Sequence, residues 1–523
     1  MSFILAHDLG TSSNKAVLVT EYGEIVAAAA VSYDVVTPYP NWAEQDPTVW
    51  WDAVCRSSQV VLKDAGVAAD EIEGITFAGQ MQGTLPVDAN GSPLMNCMIW
   101  LDGRAEQQAR QATRGWLKVQ GYGLSRLARW LYLTNGAPNL AGKDPVAKML
   151  WLRDTKPDLW KRTHKILDVK DYLLHRSTGK FVTSHDCGNS TWLMDTRKGR
   201  LGWSDHLLDL VGIPREKLPD LVPGSQVVGD LTAEAAREMG LPAGIPVVAG
   251  AGDVVAMTVG TGAVRDHEFH LGIGTSAWVA THVPERKRDL RTYIASICSA
   301  ITGRQLLVAH QETGGACVEW ARETLGGFAG GASANRPTYK DLDALVESYD
   351  AGANNLLFLP WMAGEYAPVD DKWARGGFVN LSLEHQYGHM VRAVYEGVAL
   401  NARWALSSVE KLIGEKTESL RFAGGGALSE VWCQILADVL DRPILQQDRP
   451  RLAAARGVAL IASHALGFIP DFDEIGSIPT GRARFEPSAA NRTVYDDRYA
   501  LFVDFYRRNK AFFRLANADR SLL

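Results

Sequence analysis

Short apolar runs separated by glycine turns recur at two places in the chain, about half its length apart. Apolar residues 3–6 lead into Asp8-Leu9-Gly10-Thr11-Ser12, and a second apolar run, 16–19, follows. A run ending at Leu271 leads into Gly272-Ile273-Gly274-Thr275-Ser276, and residues 277–280 follow. Each place reads as strand, tight turn, strand. With residues 25–31, joined through Glu21-Tyr22-Gly23-Glu24, the first becomes three strands whose short connections make antiparallel neighbours. Consecutive backbone N–H groups in such a turn form a concave anion site, so a pair predicts two halves gripping one polyphosphate.

Further elements follow from the same patterning. Asp46-Pro47 opens a helix through Trp50, Trp51, Val54, Ser58 and Val61, with the aspartate as N-cap and proline in the first turn. Residues 72–77 form a strand, beyond whose end lies Gln80-Met81-Gln82-Gly83. Residues 103–224 are mostly helical in pattern and rich in tryptophan, as insertions around a first sheet would be. Strand 246–249 ends in Gly250-Ala251-Gly252-Asp253 and an apolar helix follows. Pro242, Gly244 and Pro246 punctuate the chain just before it, which sets the expected domains at 1–245 and 246–523. In the second half, strand 420–423 ends in Gly424-Gly425-Gly426 before a helix starting near Ser429. The closing helical pattern, with Leu501, Phe502, Phe505 and Phe512, predicts a packing face.

Bulk properties narrow the class. At 523 residues the chain exceeds one ordinary core. A net charge of −6 leaves no electrostatic footprint for nucleic acid, and the basic stretch 286–291 reads as a solvated loop. The six cysteines are scattered without CxxC or Cys/His spacing, which argues against a disulfide framework and a zinc site and for a reduced, cytoplasmic protein. The N-terminus lacks a secretory pattern, and the longest apolar candidate, 246–264, is broken by glycines and contains Asp253, so no membrane partner is expected.

Candidate chemistry gathers at the turns. Asp8 ends the first strand, where a carboxylate can hold Mg2+ while the turn N–H groups and the Thr11 and Ser12 hydroxyls meet phosphate oxygens; the bland alternative is an Asx turn in a hairpin. Asp253 precedes a helix whose positive dipole favours its ionised form, as a general base requires; the alternative is an ordinary N-cap. The glycines at 424–426 let a flat or anionic ligand approach the backbone. They lack the GxGxxG spacing of a dinucleotide site, which disfavours hydride transfer. Gln80, Met81, Gln82, Trp100, Asp102 and Arg104 combine amides and charge with an indole, a mixture suited to a polyhydroxylated ligand.

Ordered segments resemble one family throughout: DLGTSSNKAV from Asp8, AEQDPTVWW at 43–51, GITFAGQMQGTLPVDANGSPL from Gly74 and WLDGRA from Trp100. GIPVVAGAGD from Gly244, LGIGTS from Leu271 and GGGALSEVWCQILADVLDRPI at 424–444 continue it. They are similar to the FGGY carbohydrate kinases and, within them, to the xylulose kinases. The resemblance implies an α/β fold of two ribonuclease-H-like domains of the actin and hexokinase type around a cleft, sugar on the N-terminal side and ATP on the C-terminal side. It implies Asp253 as catalytic base and Asp8 as the Mg2+-associated carboxylate. Gly10, Thr11, Ser12, Gly274, Thr275 and Ser276 become the phosphate turns, with Gly425 and Gly426 at adenosine. Met81, Gln82, Trp100 and Asp102, together with Asp253, become the substrate contacts.

Three positions depart from the family pattern. Gln82 stands where Met-His-Gly is usual, Val254 replaces a common amide, and His7 precedes Asp8 where an apolar residue is typical; His7 reads as a neutral core histidine. The expected activity is γ-phosphoryl transfer from ATP to a hydroxyl of a small ketose, D-xylulose first, with other pentuloses or a polyol such as a tetritol as alternatives. A nucleotide-gated ATPase of the same fold is the alternative class. A homodimer is compatible with the sequence, which fixes no oligomeric state.

Overall fold

The computed structural model describes residues 2–326 and 336–518. Its first sheet begins with β1 (Phe3–Leu9), β2 (Ser13–Thr20) and β3 (Ile25–Ser32), antiparallel in sequence as the short turns require. Every residue of β1 is buried. Phe3, Leu5 and Leu9 pack into one core and Ile4 and Ala6 into another, the alternation expected of a strand covered on both faces. Helix α1 (Pro47–Ala65) covers the first of those faces. Asp46 caps it, its carboxylate accepting from the Thr48 N–H at 2.9 Å, and Gly66 ends it at φ 64°.

The sheet is completed by β4 (Ile72–Gly79), parallel to β1, and, after an inserted region containing α2 (Pro145–Thr155), α3 (Val169–Thr178) and α4 (His185–Ser190), by β5 (Val227–Asp230) and β6 (Pro246–Gly252). Its order is β5-β6-β4-β1-β2-β3. The boundary expected at residue 245 therefore falls one strand too early. Proline and glycine there mark the turn into β6, which pairs antiparallel with the edge strand β5 and runs parallel to β4 within the first sheet. The chain passes to the second sheet only after α5 (Asp253–Gly260).

The second sheet comprises β7 (Phe269–Ile273), β8 (Ala277–Val283), β9 (Arg288–Asp289), β10 (Ile294–Cys298), β11 (Gln305–Gln311), β12 (Leu420–Ala423), β13 (Ile444–Gln447) and β14 (Gly481–Phe485). Its order, β9-β10-β11-β8-β7-β12-β13-β14, repeats the first sheet from β11 onward, strand for strand. Between these strands lie α6 (Tyr387–Ile413), α7 (Glu430–Leu440) and α8 (Ala453–Ala465), and α9 (Arg492–Asn517) closes the chain. Helices α5 and α8 cross with backbones in contact: a Cβ on Gly260 would lie 1.8 Å from the Ala453 carbonyl, and one on Gly457 would lie 1.8 Å from that of Ala256. Their side chains share a core with β1, β2 and Trp278, so this helix pair joins the two halves.

The packing face of α9 differs from the expected one. Phe502 is buried and Phe505 half-buried, but Leu501 is 49% and Phe512 64% exposed; Tyr495, Val503, Tyr506 and Phe513 supply the rest of the inward stripe. Counting apolar residues did not settle which aromatic faced in, because neighbouring phenylalanines stand about 100° apart on a helix. All six cysteines are free thiols. Among the described residues no helix is long and apolar enough to cross a membrane.

Candidate active site

The turns between β1 and β2 and between β7 and β8 lie at equivalent places in the two sheets. Gly10 donates its N–H to the Ser13 carbonyl at 3.0 Å, and Gly274 donates to that of Ser276 at 2.9 Å. Ser12 and Thr275 at the tips are exposed, while Gly10, Thr11, Gly274 and Ser276 are half-buried. A Cβ added at Gly274 would meet no atom within 4 Å, and one at Gly425 would approach only Arg451, at 3.9 Å. That open space is what close approach of a nucleotide requires. Gly426 is more confined, its Cβ position 3.0 Å from Trp432. Gly424 plays a different part: at φ 95°, with its Cβ position 2.4 Å from the Ile273 carbonyl, it is fixed as glycine by the chain itself. A loop absent from the sequence expectation backs the second turn, with Gly315 donating to the Gly274 carbonyl at 2.8 Å and Gly314 to that of Thr275 at 2.9 Å.

Asp8 is 4% exposed and pairs through Oδ2 with Lys15 Nζ at 3.0 Å. Its other oxygen has no protein partner among the described residues. Asp253 is the first residue of α5, with Gly252 as N-cap, so it is not itself the cap; its carboxylate accepts from the Val254 N–H at 2.9 Å. The helix dipole does not dominate its titration. Burial, reinforced by the negative charge of Asp8, raises its pKa from 3.8 to about 7. A carboxylate of that proton affinity suits general-base chemistry near neutral pH better than an unshifted one.

The expected acceptor residues divide. Trp100 donates its indole N–H to the Thr11 hydroxyl at 2.9 Å. Gln80 gives its amide to Gln45 at 2.7 Å, and Gln45 gives its own to the Thr11 carbonyl at 2.7 Å. The polar cluster after β4 is thereby tied directly to the first glycine turn. Met81 lies against the end of β6, where a Cβ on Gly252 would sit 2.4 Å from its sulfur, beside Asp253. Gln82, at φ 67°, donates its side-chain amide to Asp144 at 3.1 Å.

Asp102 is not positioned as expected. It is fully buried, accepts from the Ala43 N–H at 2.7 Å, and binds the Arg104 guanidinium through both oxygens. Arg104 in turn bridges to Glu44 at 2.7 Å and stacks on Trp42 at 3.6 Å. The alternation of Trp100, Asp102 and Arg104 thus encodes a buried ion pair behind the site, with only the indole facing the first glycine turn. His7 behaves as expected: it accepts or donates with Asn14 at 3.1 Å and Ser58 at 3.3 Å inside the core, and burial pushes its pKa down to about 3.

Four residues went unnoticed in the sequence. Asp168 accepts from the N–H groups of Gln82 at 3.1 Å and Gly83 at 2.7 Å, and Lys148 donates to the Gln82 carbonyl at 3.1 Å. Asp186 accepts from the N–H of Gly252, next to Asp253, at 2.6 Å. Asp144 receives Gln82 and the Trp192 indole, the latter at 2.9 Å. All four lie in the inserted region, where no local spacing marks them.

A duplicated sheet with a glycine turn on each half, and a polar pocket bonded to one of those turns, defines a two-domain phosphotransferase of the ribonuclease-H-like, actin type. Residues 3–260 match the N-terminal domain of the FGGY family of carbohydrate kinases and residues 271–466 its C-terminal domain. The xylulose kinase of Escherichia coli (strain K12) is 30% identical over 96% of this chain and 98% of its own. The gluconokinase of Bacillus subtilis (strain 168) is 26% identical over 100% of this chain and 99% of its own. A ligand-bound xylulose kinase structure from Lactobacillus acidophilus superposes with a TM-score of 0.86 at 26% identity, covering 98% of this chain and 99% of that one. The chain belongs to the FGGY family of carbohydrate kinases and is an ATP-dependent sugar kinase. Family membership decides against the nucleotide-gated and dinucleotide alternatives.

Proposed function

We propose that this kinase transfers the γ-phosphoryl group of ATP to a hydroxyl of a small ketose, with D-xylulose as first candidate and other pentuloses or a tetritol-like polyol behind it. The observation that carries the reading is the hydrogen bond from the Trp100 indole to the Thr11 hydroxyl at 2.9 Å, which couples the acceptor pocket to a phosphate turn. Asp253 takes the proton from the attacking hydroxyl, its raised pKa suiting it to that task near pH 7. The two glycine turns and Gly425 hold the nucleotide through backbone N–H groups and open space. Met81, Gln82 and Trp100 orient the acceptor, and closure of the halves about α5 and α8 excludes competing water.

Mg2+ fits the same arrangement. Among the described residues no three acidic, histidine or cysteine side chains gather into a metal cage. Mg2+ is held by one or two carboxylates with phosphate oxygens and waters completing the shell, and the uncommitted oxygen of Asp8 suits that role. When bound, the ion supplies charge neutralisation at the transferring phosphate.

A coupled ADP-release assay across ketopentoses, polyols and hexoses tests the reading. The expected outcome is strongest stimulation by D-xylulose. Turnover of another acceptor with none for D-xylulose would overturn the substrate while leaving the kinase standing.

A further inference from the structure

Relatives named for xylulose and for gluconate match this chain over nearly its whole length. The two acceptors differ in charge, since gluconate carries a carboxylate. The pocket around Gln82 is informative on that difference.

Gln82 sits in the left-handed region and is held on three sides, by Asp168 at its N–H, by Lys148 at its carbonyl and by Asp144 at its amide. Asp144 is 3% exposed and also receives the Trp192 indole and the Asn139 N–H. Its oxygens accept one of the two amide N–H groups of Gln82, which fixes the orientation of the amide and leaves Oε1 and the second N–H uncommitted. A neutral amide held in this way pairs with a hydroxyl through either atom but brings no positive charge to offset a carboxylate.

Three lysines nearby, among the described residues, are already engaged. Lys148 is fully buried, donates to the carbonyls of Gln82 and Ile99, and has its pKa lowered by burial to about 8. Lys15 pairs with Asp8 at 3.0 Å, and Lys143 reaches across to Glu312 at 3.7 Å. The Asp186 and Asp253 carboxyl groups stand on the β6 side of the pocket. A carboxylate entering here meets other carboxyl groups beside three lysines that are already paired, whereas a neutral polyol replaces its water hydrogen bonds.

We infer that the acceptor pocket takes neutral polyhydroxylated molecules and refuses those carrying a carboxylate, with Asp144 as the specificity-determining residue that sets the polarity of Gln82. The inference rests on the kinase reading above. The full-length enzyme is titrated with D-xylulose, xylitol and D-gluconate by tryptophan fluorescence, and each is assayed for ADP release. The expected preference for a neutral acceptor over D-gluconate is at least about a hundredfold, a size that like-charge juxtaposition and an unpaired polar group readily produce. In Asp144→Asn the ratio narrows by about tenfold, mainly through a higher acceptor KM, with KM for ATP unchanged.

D-gluconate binding or turning over as well as the neutral acceptors overturns the inference and leaves the kinase intact. Absence of ADP release with every acceptor overturns both. An unchanged ratio in a folded Asp144→Asn removes Asp144 from the role, and if that variant does not fold, the wild-type ratio alone decides the charge preference.

Discussion

The two halves share a strand order yet equip equivalent positions oppositely. After β4 the first half places Gln80 and Gln82, each hydrogen-bonded through its amide, with Met81 between them against Gly252; after β12 the second places Gly424, Gly425 and Gly426. Before the first turn stands Asp8, paired with Lys15; before the second stands Gly272, whose missing Cβ is space filled by Trp278, 2.5 Å away. Asp253 follows β6, whereas β13 is followed by Asp448-Arg449-Pro450 and then α8. One scaffold has been loaded with side chains and the other cleared of them. A small acceptor needs individual hydroxyls recognised and one deprotonated, while a polyphosphate is bound well by backbone N–H groups that need only access.

Removing the loaded half's carboxylate should give the largest effect. Asp253→Asn is expected to lower kcat by about 10²–10⁴-fold, the usual reach of a positioned base, with nucleotide affinity retained. Retention of more than about a tenth of the rate, under about 1.4 kcal/mol in barrier, would remove Asp253 from the role. Stability should move the other way. Because the folded pKa is about 7 against 3.8, the protonated form stabilises the fold at low pH, and that contribution is lost as pH rises through the window to about 7. The asparagine variant should therefore melt higher than wild type at pH 8, a difference that disappears near pH 4.

In the cleared half the prediction concerns space. Gly425→Val fills the opening and should raise KM for ATP by about tenfold or more, leaving the melting temperature and the acceptor KM nearly unchanged, since every interaction it blocks is with ligand. Gly424→Ala should instead destabilise the protein by about 1–3 kcal/mol, because an L-residue at φ 95° meets the Ile273 carbonyl. Equal effects of the two substitutions on KM and on melting would break the distinction between a ligand cradle and a structural glycine.

That distinction was only partly readable beforehand. Strand-turn-strand units at both turns followed from local apolar runs and glycines, and the helix cap at Asp46 from three adjacent residues. Gly424 and Gly425 look alike in sequence and differ only through the passing Ile273 carbonyl. Asp102 likewise looked like a ligand because it alternates with Trp100; its burial depends on Ala43 and Arg104, which tertiary packing brings round it. Asp144 and Asp168 hold Gln82 from 62 and 86 residues away along the chain, and Asp186 holds the Gly252 N–H from 66 residues away, at separations no periodicity reports. What was missed is long-range polar satisfaction, which is decided after the chain has folded.

The base's titration offers a milder probe of the loaded half. As the proposed base, Asp253 would act only when deprotonated, so with its pKa near 7, kcat/KM should fall about tenfold per pH unit below that value and level off above it. Whatever rate remains in Asp253→Asn should lack this limb. A limb that stays in place would assign the titration to another group.

The smallest expected effect concerns Gln82, because a substitution there changes how the acceptor is read without touching the reaction. Gln82→His replaces an amide by an imidazole at a backbone φ of 67°, a region that histidine visits more readily than most residues. The ring can donate one N–H to Asp144 and present its other nitrogen as an acceptor, so the polarity set by Asp144 survives, at a different reach. The acceptor KM should then shift by less than about tenfold, with kcat and KM for ATP held, the pattern of altered uniform binding. If kcat falls instead, Gln82 contributes in the transition state. The division between a half that reads the acceptor and a half that admits the nucleotide would then have to include chemistry on the acceptor loop as well as at Asp253.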